Sequence, residues 1–450
     1  MFEIRQRQST VAREVLGGLT TFMAMSYILF VQPIVLGGAG MDHGAVFTAT
    51  CVASAIACLM MGLLANYPIA LAPGMGENFF FVHVAAVMGA WGLGVGWEMA
   101  LSLTILTGLV FLALATVGFR SAVLNAIPDA LKSGIAAGIG LLIAVIGFRY
   151  GNLVQPAPGG GLVQMPSLQS NPIAYLTLAG LAITLALMAF RVRGAILIGI
   201  LASTIIALVW GKTAWRMPIA WPSSVGPTVT GALRGFAGLS EALASPRVVD
   251  VLTLGFVLLF MDVFDTVGTL VGVADRAGLM HAGKLPKAER ALAADAAATS
   301  IGALLGTSTV TSYIESLTGV AAGARTGLAA LVTGACLLGS VLFYPMVGIV
   351  MGEFELGGVL FFPTIAPALI VVGAIMLRTI RELDWDDPSE YLPGFLTMLT
   401  MPLAYNISAG IAIGFVSYAF AKIVTGRVRQ CPLIVYVFAV LFVVRYVVAP

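Results

Sequence analysis

Apolar runs long enough to cross a bilayer recur along nearly the whole chain and constrain its fold more than any other feature. A membrane helix needs about 20 apolar residues, and fewer where the helix is broken and buried in protein. The runs lack the alternation that a membrane β-barrel shows. The sequence therefore predicts an all-α polytopic membrane protein with fourteen transmembrane spans, at 15–37, 45–65, 68–88, 97–118, 131–148, 172–190, 194–211, 249–273, 291–306, 308–321, 326–350, 364–378, 391–407 and 409–424. A further apolar stretch, 432–448, either crosses the bilayer or lies in its interface.

Composition excludes the main alternatives. Of the 450 residues, 59% are hydrophobic and 10% are charged, whereas a soluble domain carries about 25% charged residues. A soluble enzyme, a disulfide-rich secreted module and a disordered chain are therefore excluded. The net charge of +2 argues against nucleic acid as a partner. The four cysteines are interpreted as small core residues without a disulfide or a metal site.

Basic residues indicate the orientation in the membrane. With the N-terminus inside, most of the 23 Lys and Arg fall in cytoplasmic segments, as the positive-inside rule requires. Residues 1–14 are then a cytoplasmic N-terminus, 212–248 is an external loop, and both termini are cytoplasmic. The polar start MFEIRQRQSTVARE leads directly into the first span, so no cleavable signal peptide is expected. We expect a multi-pass protein of the cell (inner or plasma) membrane.

The two halves of the chain contain similar motifs in the same order. GIGLLIAVIGFR, which ends at Arg149, matches ALIVVGAIMLR, which ends at Arg378. GAILIGIL at Gly194 likewise matches AGIAIGFV at Ala409. Seven spans per repeat is an odd number, so the second copy, 249–424, must be inverted relative to the first, 15–211. Inverted repeats with paired broken helices are typical of secondary transporters, although apolar helices also resemble one another by composition alone.

Most acidic residues lie in loops, including a run that we interpret as solvated: Glu382, Asp384, Asp386, Asp387 and Glu390. Four acids instead lie inside apolar segments: Glu77, Asp262, Asp265 and Glu315. A charge at the bilayer centre costs about 3 kcal/mol on insertion scales, so such residues usually face a cavity or a proton path. The alternative is a carboxylate that caps a broken helix or bonds a neighbouring Ser or Thr.

Asp262 and Asp265 are three residues apart, which places both on one face of a helix. Two carboxylates so close do not ionise independently, and one should hold a proton near neutral pH. A proton-coupled transporter needs such a group. Gly268 and Gly272 form a GxxxG motif, which is expected to allow close helix contact.

Two segments with polar interruptions occupy corresponding places in the halves. In LAPGMGENFFFVH (71–83), Pro73, Gly74 and Gly76 prevent a regular helix. The next residues supply polar atoms and flat apolar surface: Glu77, Asn78, Phe79, Phe80 and Phe81. In TSTVTSYIESLTG (307–319), a strand-like entry and a helix start near Thr311 would direct backbone N–H groups into the cavity, with Glu315 in the first turns.

Carboxylates, an amide, exposed backbone and aromatic faces suit a planar, polar, uncharged heterocycle. A purine or pyrimidine base fits this description. An anion would need positive charge, and these segments carry no Lys or Arg. His83 either joins the site or completes a helix. The histidines His43, His83 and His281 are scattered, which argues against a membrane-embedded enzyme.

Five motifs resemble the nucleobase–cation symporter family of xanthine/uracil permeases, and within it the hypoxanthine/guanine/adenine permease branch. They are GLTTFMAMSYILFVQP (18–33), LAPGMGENFFF (71–81), FMDVFDTVGTL (260–270), TSYIESLTGVAAGARTGL (311–328) and MPLAYNISAGIAIGF (401–415). The resemblance implies fourteen segments in two inverted sevens. Spans 1–4 and 8–11 would form a core domain, and spans 5–7 and 12–14 a gate domain that forms the surface of a homodimer. Spans 3 and 10 would contain short strands that cross at the site.

The resemblance also implies roles for individual residues. Substrate would contact Glu315, Asp265 and Asn78, with Phe79, Phe80, Gly76 and Thr311 around it. We expect proton coupling to involve these acids together with Asp262 and Glu77, that is Asp262, Asp265, Glu315 and Glu77, with H⁺ as coupling ion and no other cofactor. Glu77 is a departure, because the branch more usually has an apolar residue there. An extra acid at this place could alter the choice of base or of coupling ion.

The expected function is therefore import of purine nucleobases by proton symport with alternating access. A uracil or xanthine permease of the same fold is the main rival. An anion exchanger would need a cationic site, and a passive channel would not need paired broken helices with buried acids. The sequence does not choose between the individual bases.

Overall fold

The structure is a computed structural model that describes residues 2–116, 128–157, 163–169, 171–280, 285–352 and 354–448, and, of Val447 and Val448, the backbone only. The end of the predicted span 97–118 and His281 lie outside these residues. The first half contains eight described helices and one strand: α1 Val11–Met25, α2 Ile28–Gly37, α3 His43–Met60 with a π-helical turn Met61–Ala65, β1 Leu71–Pro73, α4 Met75–Gly89, α5 Gly96–Thr116, α6 Asp129–Tyr150, α7 Pro172–Ala189 and α8 Ala195–Val209.

The second half repeats this order after an intervening helix. Its described elements are α9 Gly226–Leu243, α10 Val248–Arg276, α11 Ala288–Leu305, β2 Val310–Ser312, α12 Ser316–Ala321, α13 Gly327–Gly339, α14 Pro345–Met351, β3 Glu355–Leu356, β4 Val359–Leu360, α15 Ala366–Met376, α16 Pro388–Ala404, α17 Ile407–Val424 and α18 Leu433–Val448. Short 3₁₀ turns follow α13, α15 and α17. Side-chain caps define several helix starts, at Thr10, Asp42, Asn171, Thr326, Asp387 and Asn406.

Membrane-length helices are fewer than the predicted spans. Among the described residues, six helices are long and apolar enough to cross a bilayer, or seven if the pair Gly327–Phe343 and Pro345–Met351, bent by 75°, is one span. The first of the six, Val11–Gly37, comprises α1 and α2 together with the short turn at Ser26 and Tyr27. The count of fourteen spans stays a prediction.

The strands β1 and β2 come from the two segments with polar interruptions and pair with each other. The pairing is antiparallel, with Leu71 opposite Ser312 and Pro73 opposite Val310. The Gly74 N–H donates to the Thr309 carbonyl at 3.0 Å and extends the ladder. Each strand is followed by a helix, so the helix starts of α4 and α12 lie near the same pair of strands.

Glycine allows the matching stretches of the two halves to pack closely. A Cβ at Gly140 in α6 would lie 2.8 Å from the Gly373 carbonyl oxygen in α15. A Cβ at Gly373 would meet the Gly140 carbonyl oxygen and the Ala144 Cβ. Only glycine tolerates so close a backbone approach at both positions. The two stretches that look alike in sequence are therefore packed against each other.

The segment 212–248, predicted as a loop, contains an 18-residue helix, α9. Gly231 and Gly235 bring α9 against the start of α5, where a Cβ at either position would clash with Trp97 or Glu98. Buried residues recur on this face, as an amphipathic helix requires. Its packing partners, Trp97 and Glu98, lie far away in the chain, so the sequence around 212–248 did not reveal them.

Two acids outside the predicted site have partners far away in the chain, and for Glu390 the expectation is wrong. Glu14, in the polar N-terminal segment, is buried and accepts the backbone N–H groups of Arg325 at 2.9 Å and Thr326 at 3.1 Å. Glu390, predicted in a solvated run, accepts from the buried Lys422 at 2.5 Å. Both acids satisfy partners distant in sequence, which composition alone does not reveal.

Candidate functional site

The β1–β2 pair brings the polar residues of the two broken segments together. Asn78 lies in the first turn of α4, just after β1, and Thr311 lies within β2. Glu315 is the N-cap residue of α12, which begins at Ser316. The expected helix start near Thr311 is therefore wrong, because residues 310–312 are used for strand pairing.

Asp262 and Asp265 lie on α10 but have different surroundings. Asp262 is buried, and its Oδ2 accepts from the Thr299 hydroxyl at 2.9 Å. Its Oδ1 has no hydrogen-bond partner among the described residues. Asp265 is exposed, although the neighbouring Thr266 is fully buried. One acid of the pair is thus enclosed and the other is accessible.

Space in front of Asp265 is provided by two glycines of the same helix. A Cβ at Gly268 would meet no described atom within 4 Å, and one at Gly272 would meet only Ile314 at 3.8 Å. The close helix contact predicted from this GxxxG motif is therefore absent from the described residues. The small residues leave an open face on α10, one turn after Asp265, where a ligand could approach.

Glu315 is half-buried and hydrogen-bonded on one side only. Its Oε1 accepts from the Tyr27 hydroxyl at 2.9 Å. Tyr27 is 1% exposed and lies at the break between α1 and α2. Within the part of the chain that the structure describes, Oε2 has no side-chain donor. Glu315 therefore offers one carboxylate oxygen to a ligand.

Asn78 belongs to a buried polar network that also includes α2. Its Oδ1 accepts from the Ser308 hydroxyl. Gln32 donates to Thr307 at 2.9 Å and to Ser308 at 3.1 Å. The amide nitrogen of Asn78 is buried and has no acceptor among the described residues, so its hydrogen-bonding capacity is unused.

The remaining predicted site residues are mostly enclosed. Glu77 is 3% exposed, and Phe80 and Thr311 are also buried. Gly76 packs closely on Ile139 of α6. Phe79 is half-buried, so it is the more accessible of the two predicted aromatic faces.

Sequence analysis missed a fifth acid, Asp295 of α11. It is fully buried and accepts from the hydroxyls of Thr266 at 2.5 Å and Ser312 at 2.9 Å. Thr266 in turn contacts Thr311 at 2.9 Å. Asp295 thus connects α10 to β2. It lies inside the predicted span 291–306, so the criterion that selected the other four acids would also have found it.

The five carboxylates form an acidic cluster, which comprises Glu77, Asp262, Asp265, Asp295 and Glu315. They are close enough to interact electrostatically: Asp262 with Asp295 and Glu77, and Asp265 with Glu77 and Glu315. None forms an ion pair with Lys or Arg among the described residues. The fold therefore gathers five acids without a compensating cation among the described residues.

Comparison with known proteins determines the family. The Xan_ur_permease model, which describes a permease family, matches residues 12–413. The chain belongs to this permease family. The guanine/hypoxanthine permease PbuG of Bacillus subtilis is 40% identical to this chain. The alignment covers 99% of this chain and 98% of PbuG. The adenine permease AdeQ of Escherichia coli is 37% identical to this chain, and the alignment covers 99% of this chain and 95% of AdeQ. The predicted family resemblance is confirmed.

A solved structure supports the fold. The transmembrane domain of the cyanobacterial bicarbonate transporter BicA superposes on the permease with a TM-score of 0.61. The match covers 90% of this chain and 97% of that one, at 16% identity. The fold of the permease is thus mostly helical, and its family and apolar helices indicate a multi-pass membrane protein. Its relatives are permeases, which are transporters and not enzymes.

Proposed function

We propose that this permease imports purine nucleobases by proton symport with alternating access. The observation that carries the proposal is the pair Glu315 and Asp265, which are half-buried and exposed and form no ion pair with Lys or Arg among the described residues. Such carboxylates accept N–H groups of an uncharged heterocycle and repel an anion. The guanine/hypoxanthine and adenine permeases among its relatives support purines as the substrate class.

In the proposed complex, the base lies between Glu315 and Asp265. Its ring N–H groups donate to the free oxygen of Glu315 and to Asp265. The amide nitrogen of Asn78 donates to a ring nitrogen or carbonyl oxygen, and Phe79 supplies a stacking face. The backbone of Gly76 and Thr311 encloses the site, while Phe80 packs behind it.

The acidic cluster also provides the proton site. A proton from outside would be shared among Asp262, Asp265, Glu77 and Glu315, and Asp295 belongs to the same set. Neutralising this charge lowers the cost of moving the core domain past the gate domain. The membrane potential favours inward movement of the positive charge by about 2.3 kcal/mol per 100 mV. H⁺ is the proposed coupling ion, without another cofactor.

We propose that the permease has the architecture of two inverted sevens, 15–211 and 249–424. Elements α1–α5 and α10–α14, with their strands, would form the core domain. The gate domain would comprise α6–α8 and α15–α17 and form the surface of a homodimer in the cell membrane. The similar order of elements in the halves and the α6–α15 contact support this division.

Labelled hypoxanthine uptake by cells without their own purine permeases tests the function. We expect saturable uptake that a protonophore abolishes and that unlabelled guanine or adenine inhibits, because the free carboxylates bind the ring N–H groups. Cells with empty vector are the control. Inhibition by uracil or xanthine alone would favour the rival permease, and absence of uptake for every base would contradict the proposal.

The C-terminal helix α18 extends the proposed topology. It runs antiparallel to α17 along its whole length: Tyr436 bonds Val428 at 3.3 Å just after α17 ends, and Arg445 bonds Ser408 at 3.0 Å where α17 begins. Arg445 also pairs with Asp250 at 2.9 Å, at the start of α10. Helix α18 has 16 residues, fewer than the six membrane-length helices, and we propose that it crosses the bilayer antiparallel to α17. We propose an external C-terminus, in contrast to the cytoplasmic one expected from the sequence.

Single cysteines in an otherwise cysteine-free variant test this topology. A cysteine added after Pro450 should react with a membrane-impermeant maleimide in intact cells. Arg429→Cys, in the turn between α17 and α18, is the matched control and should react only after permeabilisation. Labelling of both positions from the same side would show that α18 does not cross.

A further inference from the structure

We propose that Tyr27 is a positioning residue that orients Glu315 for substrate binding. This inference rests on the proposed role of Glu315 as a substrate ligand and deepens it. The two residues are 288 positions apart, and their contact joins the first span to the start of α12 at 2.9 Å. Tyr27 touches the ligand-binding acid and acts through it.

The backbone around Tyr27 presents its side chain to the centre of the protein. Helix α1 ends at Met25, and α2 begins at Ile28. The Leu29 and Phe30 N–H groups bond the carbonyls of Ser26 and Tyr27, three residues back, which is the tighter 3₁₀ pattern. The break directs Tyr27 inward, where it is 1% exposed.

The hydroxyl of Tyr27 determines which atom of Glu315 is free. A carboxylate has two oxygens, each able to accept a hydrogen bond. Oε1 accepts from Tyr27, while Oε2 has no side-chain donor among the described residues. The hydrogen bond also restricts rotation of a half-buried side chain, so Glu315 is held ready for one N–H of the substrate.

This arrangement has a consequence for the ligand. Oε2 can accept one N–H of the substrate without disturbing Tyr27, whereas a second adjacent N–H would share Oε1 with the Tyr27 hydroxyl. An N–H on another edge of the ring can donate to the accessible Asp265. The site therefore suits a heterocycle that carries N–H donors on two edges, as guanine and hypoxanthine do.

A double-mutant cycle tests the proposal. In Tyr27→Phe, we expect the KM for hypoxanthine to rise about tenfold, the effect of one hydrogen bond to a charged group. Turnover per transporter in the membrane should stay within about twofold. In the Glu315→Gln background, the added Tyr27→Phe change should have little further effect, because the oriented carboxylate is already lost. For variants whose uptake is too slow to measure, the dissociation constant of hypoxanthine from purified protein is measured instead of KM.

Tyr418→Phe is the matched control. Tyr418 is also buried and donates to a glutamate, Glu390, at 3.1 Å, but away from the acidic cluster. It should leave the KM unchanged. An unchanged KM in Tyr27→Phe, or an equal effect in both Glu315 backgrounds, would overturn the positioning role. If Glu315→Gln alone has no effect on affinity, the proposed ligand role of Glu315 fails instead.

Discussion

Replacing Glu315 with glutamine is expected to lower the affinity for purine bases by about 10- to 100-fold. A hydrogen bond to a charged group contributes about 1.5–3 kcal/mol, and tenfold in affinity corresponds to about 1.4 kcal/mol. Glutamine keeps the size of Glu315, but one oxygen becomes an amide donor that cannot accept a ring N–H. Equilibrium binding of labelled hypoxanthine to purified protein measures the change.

Glu241→Gln provides the matched control, because Glu241 is exposed on α9 and removed from the acidic cluster. It should bind hypoxanthine as the unmodified protein does. Both variants should show similar yields and thermal unfolding, since Glu315 is half-buried and the substitution is isosteric. Unchanged affinity in Glu315→Gln would exclude Glu315 as a ligand.

Replacing Asp295 with alanine is expected to have the largest effect on stability. The change removes the shared acceptor of Thr266 and Ser312, which are both fully or almost fully buried. Leaving buried donors unsatisfied costs about 1–3 kcal/mol each. We expect a Tm lower by several degrees and weaker hypoxanthine binding, because α10 and β2 carry Asp265 and Thr311.

Two variants make the Asp295 experiment specific. Asp295→Asn keeps one acceptor oxygen and should give a Tm between those of Asp295→Ala and the unmodified protein. Asp275→Ala changes an exposed acid near the end of α10 and should change neither Tm nor binding. A Tm for Asp295→Ala equal to that of Asp275→Ala would show that the α10–β2 connection does not depend on Asp295.

The candidate site was predictable where local chemistry is unusual. Their position within apolar runs identified four acids, Glu77, Asp262, Asp265 and Glu315, because a charge in such a segment is costly and usually has a function. Proline and glycine around residue 74 predicted an interruption of the helix, and β1 lies there. These signals depend on neighbouring residues only, and a single sequence contains them.

Features that depend on distant partners were not predictable. Tyr27 and Gln32 look like ordinary residues of a first span, and their contacts with Glu315 and Ser308 exist only once the halves are packed. The same holds for Gly268, whose motif suggested a helix contact but which faces open space. The spacing of residues in the sequence predicts which side chains share a helix face, but the residues that pack against this face are known only from the fold.

Uptake into proteoliposomes most directly tests the claim that uncompensated carboxylates couple a purine base to a proton. Purified permease would be reconstituted, and labelled hypoxanthine accumulation measured with and without an imposed pH gradient, acidic outside. We expect concentration of hypoxanthine inside the vesicles that depends on the gradient, collapses with a protonophore and is strongly reduced in Glu315→Gln. Equilibration to the outside concentration regardless of the gradient would contradict the account.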